Sequence, residues 1–430
     1  MYKGMVTFSR SIRILFFTIV AAGIAVTPFT GEAQESRWLV PPAFEGAELE
    51  KVREWEKTWA GKTINRENVD QVKEFVPEGI YEVMTDTSIW GDYDFSFTIV
   101  PYKTFKPTPG LIEATAKYSP QAKIGADEVV ENFETMAGVP FPEPKTGLEA
   151  AWNFYMWSRG DEFIRPKGAG TPVDVRTKLE RGAITSQWTS YYVNRVNKPP
   201  LPAVPKNRRE IRKARFMHFE APPHMTDFTS LHIQYIDQYK PNDGWMYWPR
   251  FRKITRIETS RRDDVYDGLD WIQDDFPDGF ADKPFVNNYK LVGRKKLLLS
   301  RDTDTSQYER QQGMSLFRGV QRELINAYVV EVIHKKPSYV YPKQVWLIDP
   351  ETWAILFKLI YNRQGEFWKF MDVHTELREI YGAEVAVCEA YSMVDVIRRH
   401  GTVNICNNDL TTKWSLEKTF SIRNLDRRSY

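Results

Sequence analysis

The sequence predicts a mainly β protein of the α+β class: a large curved antiparallel sheet or half-open β-barrel, with helices from the N-terminal part covering its concave face. Three observations lead to this prediction. From residue 183 onward, short apolar and aromatic runs alternate with turn sequences, which is typical of antiparallel strands. The segments with helical periodicity all lie before residue 160. Roughly ten antiparallel strands in one sheet have to curve to enclose a core.

The clearest strand signal is a hairpin. Residues 231–235 and 245–248 flank the sequence Pro-Asn-Asp-Gly, whose Asp-Gly step accepts the positive φ of a tight turn. All residues of 245–248 are apolar or aromatic, so this strand is expected to be buried on both faces. The other predicted strands are 81–102 (one or two strands), 186–196, 215–220, 251–257, 291–300, 328–334, 345–348, 355–361, 367–373 and 383–397.

Three segments carry the apolar spacing of helices: 48–60, 126–137 and 146–156. Glycine commonly follows the last residue of a helix, so we expect the first two helices to end at Gly61 and Gly138. The third helix is expected to start at Thr146, and Glu149 completes a capping box. Its apolar stripe at i, i+3, i+4, i+7 and i+8 is expected to lie on the sheet.

The first 33 residues have the features of a secretory signal peptide. Lys3, Arg10 and Arg13 precede an apolar run at 14–26, and Gly-Glu-Ala at 31–33 is a small-x-small cleavage sequence. The apolar run is shorter than the roughly 20 residues of a membrane span. We therefore expect cleavage after Ala33 and a periplasmic protein, with an uncleaved anchor as the alternative.

The mature chain is expected to form one composite domain from two segments. An N-terminal extension with helices covers 34–180, and the antiparallel half-barrel covers 181–430. The whole chain has a net charge of +2, and removal of the signal takes away three bases and one acid. The remaining chain is neutral, which argues against nucleic acid as a partner. Its 14 tryptophans exceed the needs of an ordinary core and indicate a broad apolar lining.

The sequence carries no motif that indicates an enzyme, a cofactor site or a metal centre. It contains neither H-E-x-x-H nor G-x-S-x-G, and Glu56 stands where a phosphate-binding loop ending at Thr63 needs its first glycine. The six histidines lack the spacing of metal ligands. They are His218, His224, His232, His334, His374 and His400. We therefore predict a non-enzymatic protein that needs no cofactor and no metal.

Two charged stretches allow more than one interpretation. The seven aspartates of 263–278 either pair with arginines of 250–262 and hold the loop across the sheet, or bind a hard cation. The basic run 206–215 is either a solvated strand edge or a contact surface for lipid phosphates or an acidic partner. An oxidising compartment would also permit a disulfide between Cys388 and Cys406.

Five segments carry a recognisable signature: 68–73 (NVDQVK), 138–142 (GVPFP), 147–153 (GLEAAWN), 289–295 (YKLVGRK) and 322–331. They resemble a periplasmic proteobacterial family of unknown function that is labelled outer-membrane lipoprotein-sorting-like, and the resemblance covers nearly the whole mature chain. More distantly, 247–257 and 346–352 are similar to strand motifs of the LolA/LolB lipoprotein carriers. This chain departs from the carriers in its length and in Trp248, which replaces their usual leucine before proline.

The resemblance implies a half-open barrel that holds acyl chains under helices, and it implies an RND-type membrane transporter as a partner. The first functional hypothesis is a periplasmic carrier for a lipid, a lipoprotein acyl chain or another hydrophobic molecule, with transient membrane contact. The predicted lining of its cavity is Trp188, Tyr235, Trp245, Tyr247, Trp248, Trp346, Trp353 and Phe357. The alternative is a periplasmic adaptor that carries nothing and docks to the transporter through a sheet edge or an aromatic patch.

Overall fold

The computed structural model of the protein describes residues 37–157, 159–265, 269–276 and 278–426. The predicted signal peptide and its cleavage after Ala33 lie outside these ranges. The helices are α1 (Gly46–Trp59), α2 (Glu78–Thr85), α3 (Thr87–Trp90), α4 (Pro109–Tyr118), α5 (Gly147–Met156) and α6 (Leu416–Thr419). Within the described ranges, no helix combines the length and the apolar character that crossing a membrane requires.

The strands are β1 (Thr63–Ile64), β2 (Phe97–Ile99), β3 (Glu162–Asp174), β4 (Ala183–Tyr191), β5 (Ile211–Ala221), β6 (Thr229–Tyr235), β7 (Asp243–Trp248), β8 (Lys253–Ile257), β9 (Asn287–Leu299), β10 (Val320–His334), β11 (Lys343–Ile348), β12 (Ile355–Tyr361), β13 (Phe367–Ile380), β14 (Ala383–Asp395) and β15 (His400–Ile405). They form one sheet in the order β1-β2-β10-β11-β12-β13-β14-β15-β3-β4-β5-β6-β7-β8, and β9 pairs with β10 outside this path.

The sheet is open and almost entirely antiparallel. β1 and β8 stand at opposite ends of the strand order, so the described strands do not close into a barrel. The pair β2–β10 is parallel, which makes the sheet mixed. The predicted mainly β fold with one large sheet is confirmed, and this pair is the exception to its antiparallel character. The predicted hairpin is also present, with Leu231 opposite Trp245.

Cross-strand pairs define two faces of the sheet. Trp346 pairs with Lys358 and Lys358 with Met371, so these side chains share one face, which we call the Lys358 face. Phe357 and Phe370 alternate with them along β12 and β13 and lie on the opposite Phe357 face. The two faces carry different side chains and are covered by different parts of the chain.

Helices from the N-terminal part pack on both faces. On the Phe357 face, α2 lies so close that a Cβ added at Gly79 would meet the ring of Phe370 at 2.3 Å. On the Lys358 face, the ring centroids of Phe154 in α5 and Trp346 are 6.2 Å apart. The predicted capping box starts α5, since the Thr146 hydroxyl accepts the Glu149 N–H at 3.2 Å. The largest core therefore includes both helical and strand residues.

The strand prediction for 81–102 is largely wrong. Most of its first half is helical, and the strand β2 covers three residues. The buried residues Ile80, Val83 and Met84 in α2 have the i, i+3, i+4 spacing of a helix. The segment predicted as a strand began at Tyr81 and excluded Ile80, so this spacing was not recognised. Aromatic residues at 90–97 then raised the apparent strand propensity of a segment that packs as turns and helix.

Two further differences concern 126–137 and β3. The predicted helix at 126–137 is a series of turns, in which Glu128 and Asn132 have positive φ values of 63° and 55°. Strand β3 was not predicted, because two prolines and two glycines within it weaken the strand pattern. A bulge between Arg165 and Gly168 accommodates part of this sequence. The predicted division at residue 180 stays a prediction, and β3 lies before it in the centre of the sheet.

Candidate functional site

The eight aromatic residues predicted to line a cavity lie in three places. Three are fully buried in the main core: Trp346, Trp353 and Phe357. Four belong to a second apolar cluster on β4–β7: Trp188, Tyr235, Trp245 and Tyr247. Trp248 is 42% exposed, with its ring centroid 4.8 Å from that of Phe228. The structure therefore does not bring these residues together around one cavity.

The core around Trp346 is filled by other parts of the chain. The ring centroids of Phe154, Phe280 and Tyr289 lie 6.2, 4.9 and 5.6 Å from that of Trp346. These rings come from α5, from the segment after β8 and from β9. The space around Trp346, where a ligand was predicted to bind, is thus filled by side chains that are distant in sequence.

The second cluster is also covered from within the protein. Its strand residues Phe216 and Leu231 are fully buried, and Phe420 and Leu425 from the C-terminal segment pack in the same cluster. Strand β7 at the margin of this cluster is not buried on both faces as predicted. Trp245 and Tyr247 are half-buried, because β7 is followed by a single further strand, the edge strand β8.

The acidic loop, residues 258–283, lies on the Lys358 face and is anchored there by buried aspartates. Asp275 forms an ion pair with Lys358 and accepts the Tyr341 hydroxyl at 2.9 Å. Asp270 binds His400 at 2.6 Å. The aspartates therefore hold the loop across the sheet, as one of the two interpretations of the sequence predicted. Most of their partners lie on the sheet, however, and not among the arginines of 250–262.

Two further aspartates of the acidic loop have different electrostatic environments. Asp274 binds Arg262 at 2.7 Å. Among the described ion pairs of this loop, this is the one formed with the arginines that the sequence predicted as partners. Burial nevertheless raises the pKa of Asp274 to about 7. Asp278 binds Arg159 and Arg165, each at 3.0 Å. Burial opposes its ionisation, but these two guanidiniums hold the pKa of Asp278 below its usual value.

The histidines and cysteines of the described residues do not form a cluster of metal ligands. Within the described ranges, no three His, Cys, Asp or Glu side chains are placed to hold a metal ion. His374 is fully buried and lies 3.1 Å from Asp372. Cys388 and Cys406 are free and buried, and the Asn404 amide donates to the Cys406 sulfur at 3.2 Å. The neighbouring Cys406 and burial raise the pKa of Cys388, which keeps this thiol protonated.

A surface cleft lies around β3 and the start of β15. Its first part, the apolar lobe, has a volume of about 500 Å³. The apolar side chains that line it are Pro172, Leu179, Phe219, Pro222, Met225 and Leu269. The second part, the basic lobe, has a volume of about 840 Å³. Asp174, Leu269 and His400 line both lobes, so the two lobes adjoin.

The basic lobe has an excess of positive charge. Four bases line it: Arg176, Lys369, Arg398 and Arg399. Its two acids have other partners, since Asp174 accepts the N–H groups of Arg176 and Thr177 and Asp270 binds His400. Among the ion pairs of the described residues, none involves the three arginines of this lobe. The lobe can therefore accept an anionic group from solvent.

The sequence did not identify this cleft. Its apolar side chains come from β3, the β3–β4 turn, the end of β5 with the turn that follows it, and the acidic loop, so they are spread over residues 172–269. Its arginines belong to two short turns, 174–178 and 395–399, that meet through the pairing of β15 with β3. The run Ile-Arg-Arg-His at 397–400 is the one local signal that could have indicated a basic surface.

A family model described as protein of unknown function (DUF1329) matches residues 63–426. The chain belongs to the DUF1329 family. An uncharacterized protein of Pseudomonas aeruginosa is 23% identical to this DUF1329 protein over 351 residues, which cover 78% of this chain and 73% of the relative. The predicted membership of a family of unknown function is thereby confirmed.

Two solved structures show a partial similarity to this chain. A domain from Vibrio parahaemolyticus, provisionally named an outer membrane lipoprotein-sorting protein, covers 65% of this chain and 98% of its own, at 13% identity and a TM-score of 0.46. A LolA superfamily protein from Nitrosomonas europaea covers 65% of this chain and 99% of its own, at 12% identity and a TM-score of 0.39.

Proposed function

We propose that this DUF1329 protein is a non-enzymatic periplasmic carrier for a lipid or another hydrophobic molecule that bears an acidic group. The observation that supports this proposal best is the junction of the apolar and basic lobes at Asp174, Leu269 and His400. An amphiphile could place its apolar part in one lobe and its acidic group in the other. Transport towards the outer membrane belongs to the same proposal.

The dimensions and chemistry of the cleft agree with reversible binding. Both lobes fall within the roughly 300–1,000 Å³ of ordinary ligand sites. Each buried methylene stabilises the complex by about 0.8 kcal/mol, so part of an acyl chain is held without covalent chemistry. An acidic group near Arg398 and Arg399 would gain charge-assisted hydrogen bonds.

The cleft replaces the eight aromatic residues as the proposed binding site. Seven of them are buried or half-buried in clusters that the protein fills with its own side chains. A ligand at those positions would have to displace packed rings such as Phe154 or Phe420, whereas the cleft is open in the folded protein. For this reason the cleft needs no rearrangement of the core before a ligand enters.

The carrier proposal is tested by lipid analysis of the gently purified mature protein with native mass spectrometry. We expect a co-purifying acidic amphiphile in the wild type and at least a tenfold loss in Leu179→Asp. Leu179 is 52% exposed in the apolar lobe, so the charge should leave the fold intact. Leu201→Asp, at a 47% exposed leucine outside both lobes, is the matched control.

A charge variant tests the role of the basic lobe. We expect Arg398→Glu to weaken binding of an added acidic probe, oleate, at least tenfold, because it replaces an attractive charge by a repulsive one. Arg208→Glu, at an exposed residue outside the cleft, makes the same change in net charge. Equal oleate affinities of the two variants, or a wild-type protein that neither co-purifies with lipid nor binds oleate, would contradict the proposal.

A docking role is the second candidate function, and the edge strand β8 favours it. β8 ends the sheet, and the neighbouring Phe251 is 68% exposed beside the 42% exposed Trp248. Exposed aromatic residues beside an unpaired strand edge are typical of protein docking sites. Crosslinking in cells followed by mass spectrometry tests the RND-type transporter as partner. An empty protein that crosslinks to this transporter, and loses it in Phe251→Asp, would favour the adaptor.

A further inference from the structure

A second and more enclosed pocket lies on β5 and β6, away from the cleft. Lys213 and Arg215 alternate along β5 with the buried residues Ala214 and Phe216. Lys213 pairs with Gln234 across the strands, and Arg215 pairs with His232. Strand alternation therefore places these polar side chains together on the face opposite the apolar cluster of Phe216.

The acidic loop closes this pocket. The Gln234 amide donates to the Ala281 carbonyl at 3.3 Å, and the Arg215 guanidinium lies 5.0 Å from the ring centroid of Phe276. Arg262 and Gln273 of the same loop complete the lining. The basic run 206–215 is thus not simply a solvated strand edge, because its last two bases face an enclosed space.

The pocket is strongly basic. Lys213, Arg215, Arg262 and His232 line it, and none of its lining residues in the described ranges is acidic. Two loop carboxylates near the pocket already have basic partners, since Asp274 contacts Arg262 and Asp278 contacts Arg159 and Arg165. The charge of Asp278 also acts on Lys213, but it offsets only part of the effect of burial and of the neighbouring arginines.

Lys213 has no ion-pair partner among the described residues. Its ammonium lies 5.6 Å from the ring centroid of Tyr191. Burial and the charges of Arg212, Arg159 and Arg215 hold the pKa of Lys213 well below its usual value. Burial and the charges of Arg215 and Arg262 do the same to His232. Like charges in one enclosed space are costly unless an anion joins them.

The volume of the pocket restricts the size of that anion. It is about 30 Å³, whereas a single water needs roughly 10–15 Å³ of such space. The space therefore suits a group of a few heavy atoms and excludes an acyl chain. A tetrahedral oxyanion has this size, and its several oxygens can accept from more than one base.

We propose that this pocket is a binding site for a phosphate or sulfate group, held by Lys213, Arg215, His232 and Arg262 between the sheet and the acidic loop. The site is independent of the proposed carrier function, because it is separate from the cleft and rests on different residues. A bound oxyanion would neutralise the pocket and hold the acidic loop on β5 and β6.

The test measures saturable binding of inorganic phosphate to the mature protein by isothermal titration and by thermal unfolding, at constant ionic strength set with chloride. Saturation is required, because phosphate also stabilises proteins non-specifically at high concentration. We expect Lys213→Met to weaken phosphate binding at least tenfold and Lys213→Arg to stay within a few-fold of the wild type. Lys253→Met, at an exposed lysine of β8, is the control and should bind like the wild type.

A readout without phosphate separates a binding role from a structural one. Because Lys213→Met removes a charge from a repulsive cluster, its unfolding midpoint in phosphate-free buffer should equal or exceed that of the wild type. Short-chain phosphatidic acid tests whether the phosphate group comes from a lipid headgroup or from free phosphate. If this lipid stabilises the wild type, free phosphate does not, and the stabilisation is lost in Lys213→Met, the pocket binds the phosphate of a headgroup. If the wild type binds neither probe saturably, or if Lys213→Met binds phosphate like the wild type, the site is refuted.

Discussion

The interior and the β8 edge of the sheet bury their aromatic residues to different degrees. On the interior strands β11–β13, Trp346, Phe357 and Phe370 are completely buried, because each strand has two neighbours and both faces are covered by other parts of the chain. Around β7 and β8, Trp248 is 42% exposed and Phe251 is 68% exposed, since β8 is an edge strand. The high aromatic content therefore has two uses: the interior strands fill the core, and the β8 edge leaves rings available for contact.

The sharpest comparison between a buried and an edge position is between two arginines. Arg301 is fully buried, where it binds Glu323 at 2.9 Å and Glu351 at 2.8 Å and lies 3.7 Å from Asp349. Removing one partner of a buried ion pair typically costs 3–5 kcal/mol, and Arg301→Met leaves three carboxylates, so we expect a loss of about 5 kcal/mol in the free energy of unfolding. Urea denaturation at pH 7 measures it.

The control for Arg301 is Arg256→Met in the edge strand β8. Arg256 pairs with Asp243 but is 70% exposed, so its removal should cost less than about 1 kcal/mol. Equal losses in the two variants would mean that the buried position is no more sensitive to charge removal than the edge position.

The second largest effect concerns two tryptophans. Trp346→Ala should destabilise the protein by about 4 kcal/mol, because it leaves a cavity among three aromatic rings. Trp248→Ala should cost no more than about 1 kcal/mol, since its side chain is already partly in water. Thermal and chemical unfolding of the two variants provide the measurement. A large loss in Trp248→Ala would show that the β8 edge is packed as firmly as the core.

The third effect concerns the acidic loop on the Lys358 face. Lys358 forms an ion pair with Asp275 and donates to the Gly279 carbonyl at 2.8 Å. Lys358→Met leaves the Asp275 carboxylate buried beside the Tyr341 hydroxyl, so we expect a loss of about 3 kcal/mol and faster trypsin cleavage within the loop. Lys336→Met, at a 56% exposed lysine 3.7 Å from Asp263, should change neither quantity measurably. An unchanged cleavage rate in Lys358→Met would mean that other contacts hold the loop.

The smallest effect is a pH dependence at His400, which lies between the cleft and the acidic loop. The hydrogen bond to Asp270 raises the pKa of His400 above its usual value, so the folded state holds this proton more tightly than the unfolded chain. This contribution is fully present below pH about 6.5 and is lost as the pH rises through the raised pKa. Because His400 is one-third exposed, it should amount to less than about 1 kcal/mol.

The measurement compares the wild type with His400→Gln by urea denaturation at pH 5.5 and pH 8.5. The wild type should exceed the variant in stability by more at the lower pH. A difference that grows at the higher pH would reverse the assigned sign and show that the neutral imidazole is the stabilising form.

Several elements were predictable because their causes are local. The strands after residue 183 alternate apolar and polar residues between explicit turns, and the hairpin with Leu231 opposite Trp245 follows from one Asp-Gly step. The capping box at Thr146 and Glu149 involves contacts within one helical turn. In contrast, β3 gains its stability from pairing with β15 and β4, which outweighs its prolines and glycines.

The candidate sites could not be predicted in the same way. Five aspartates of the acidic loop bind partners that lie far away in the chain, such as Lys358 and His400. The cleft and the basic pocket arise where such segments meet. The spacing of residues within one stretch of sequence does not show which carboxylate pairs with which base. It therefore does not show which bases can still bind an anion.

By itself, the sequence determined that this chain forms a mainly β fold of its family, since alternation and turn chemistry act between neighbouring residues. Tertiary structure alone decided which of the many aromatic and charged side chains are core and which line a site. Trp346 and Trp248 have the same side chain, and their difference in exposure follows from strand order and from the segments that cover each face. Burial and charge compensation depend on the surroundings in space, which the order of residues does not show directly.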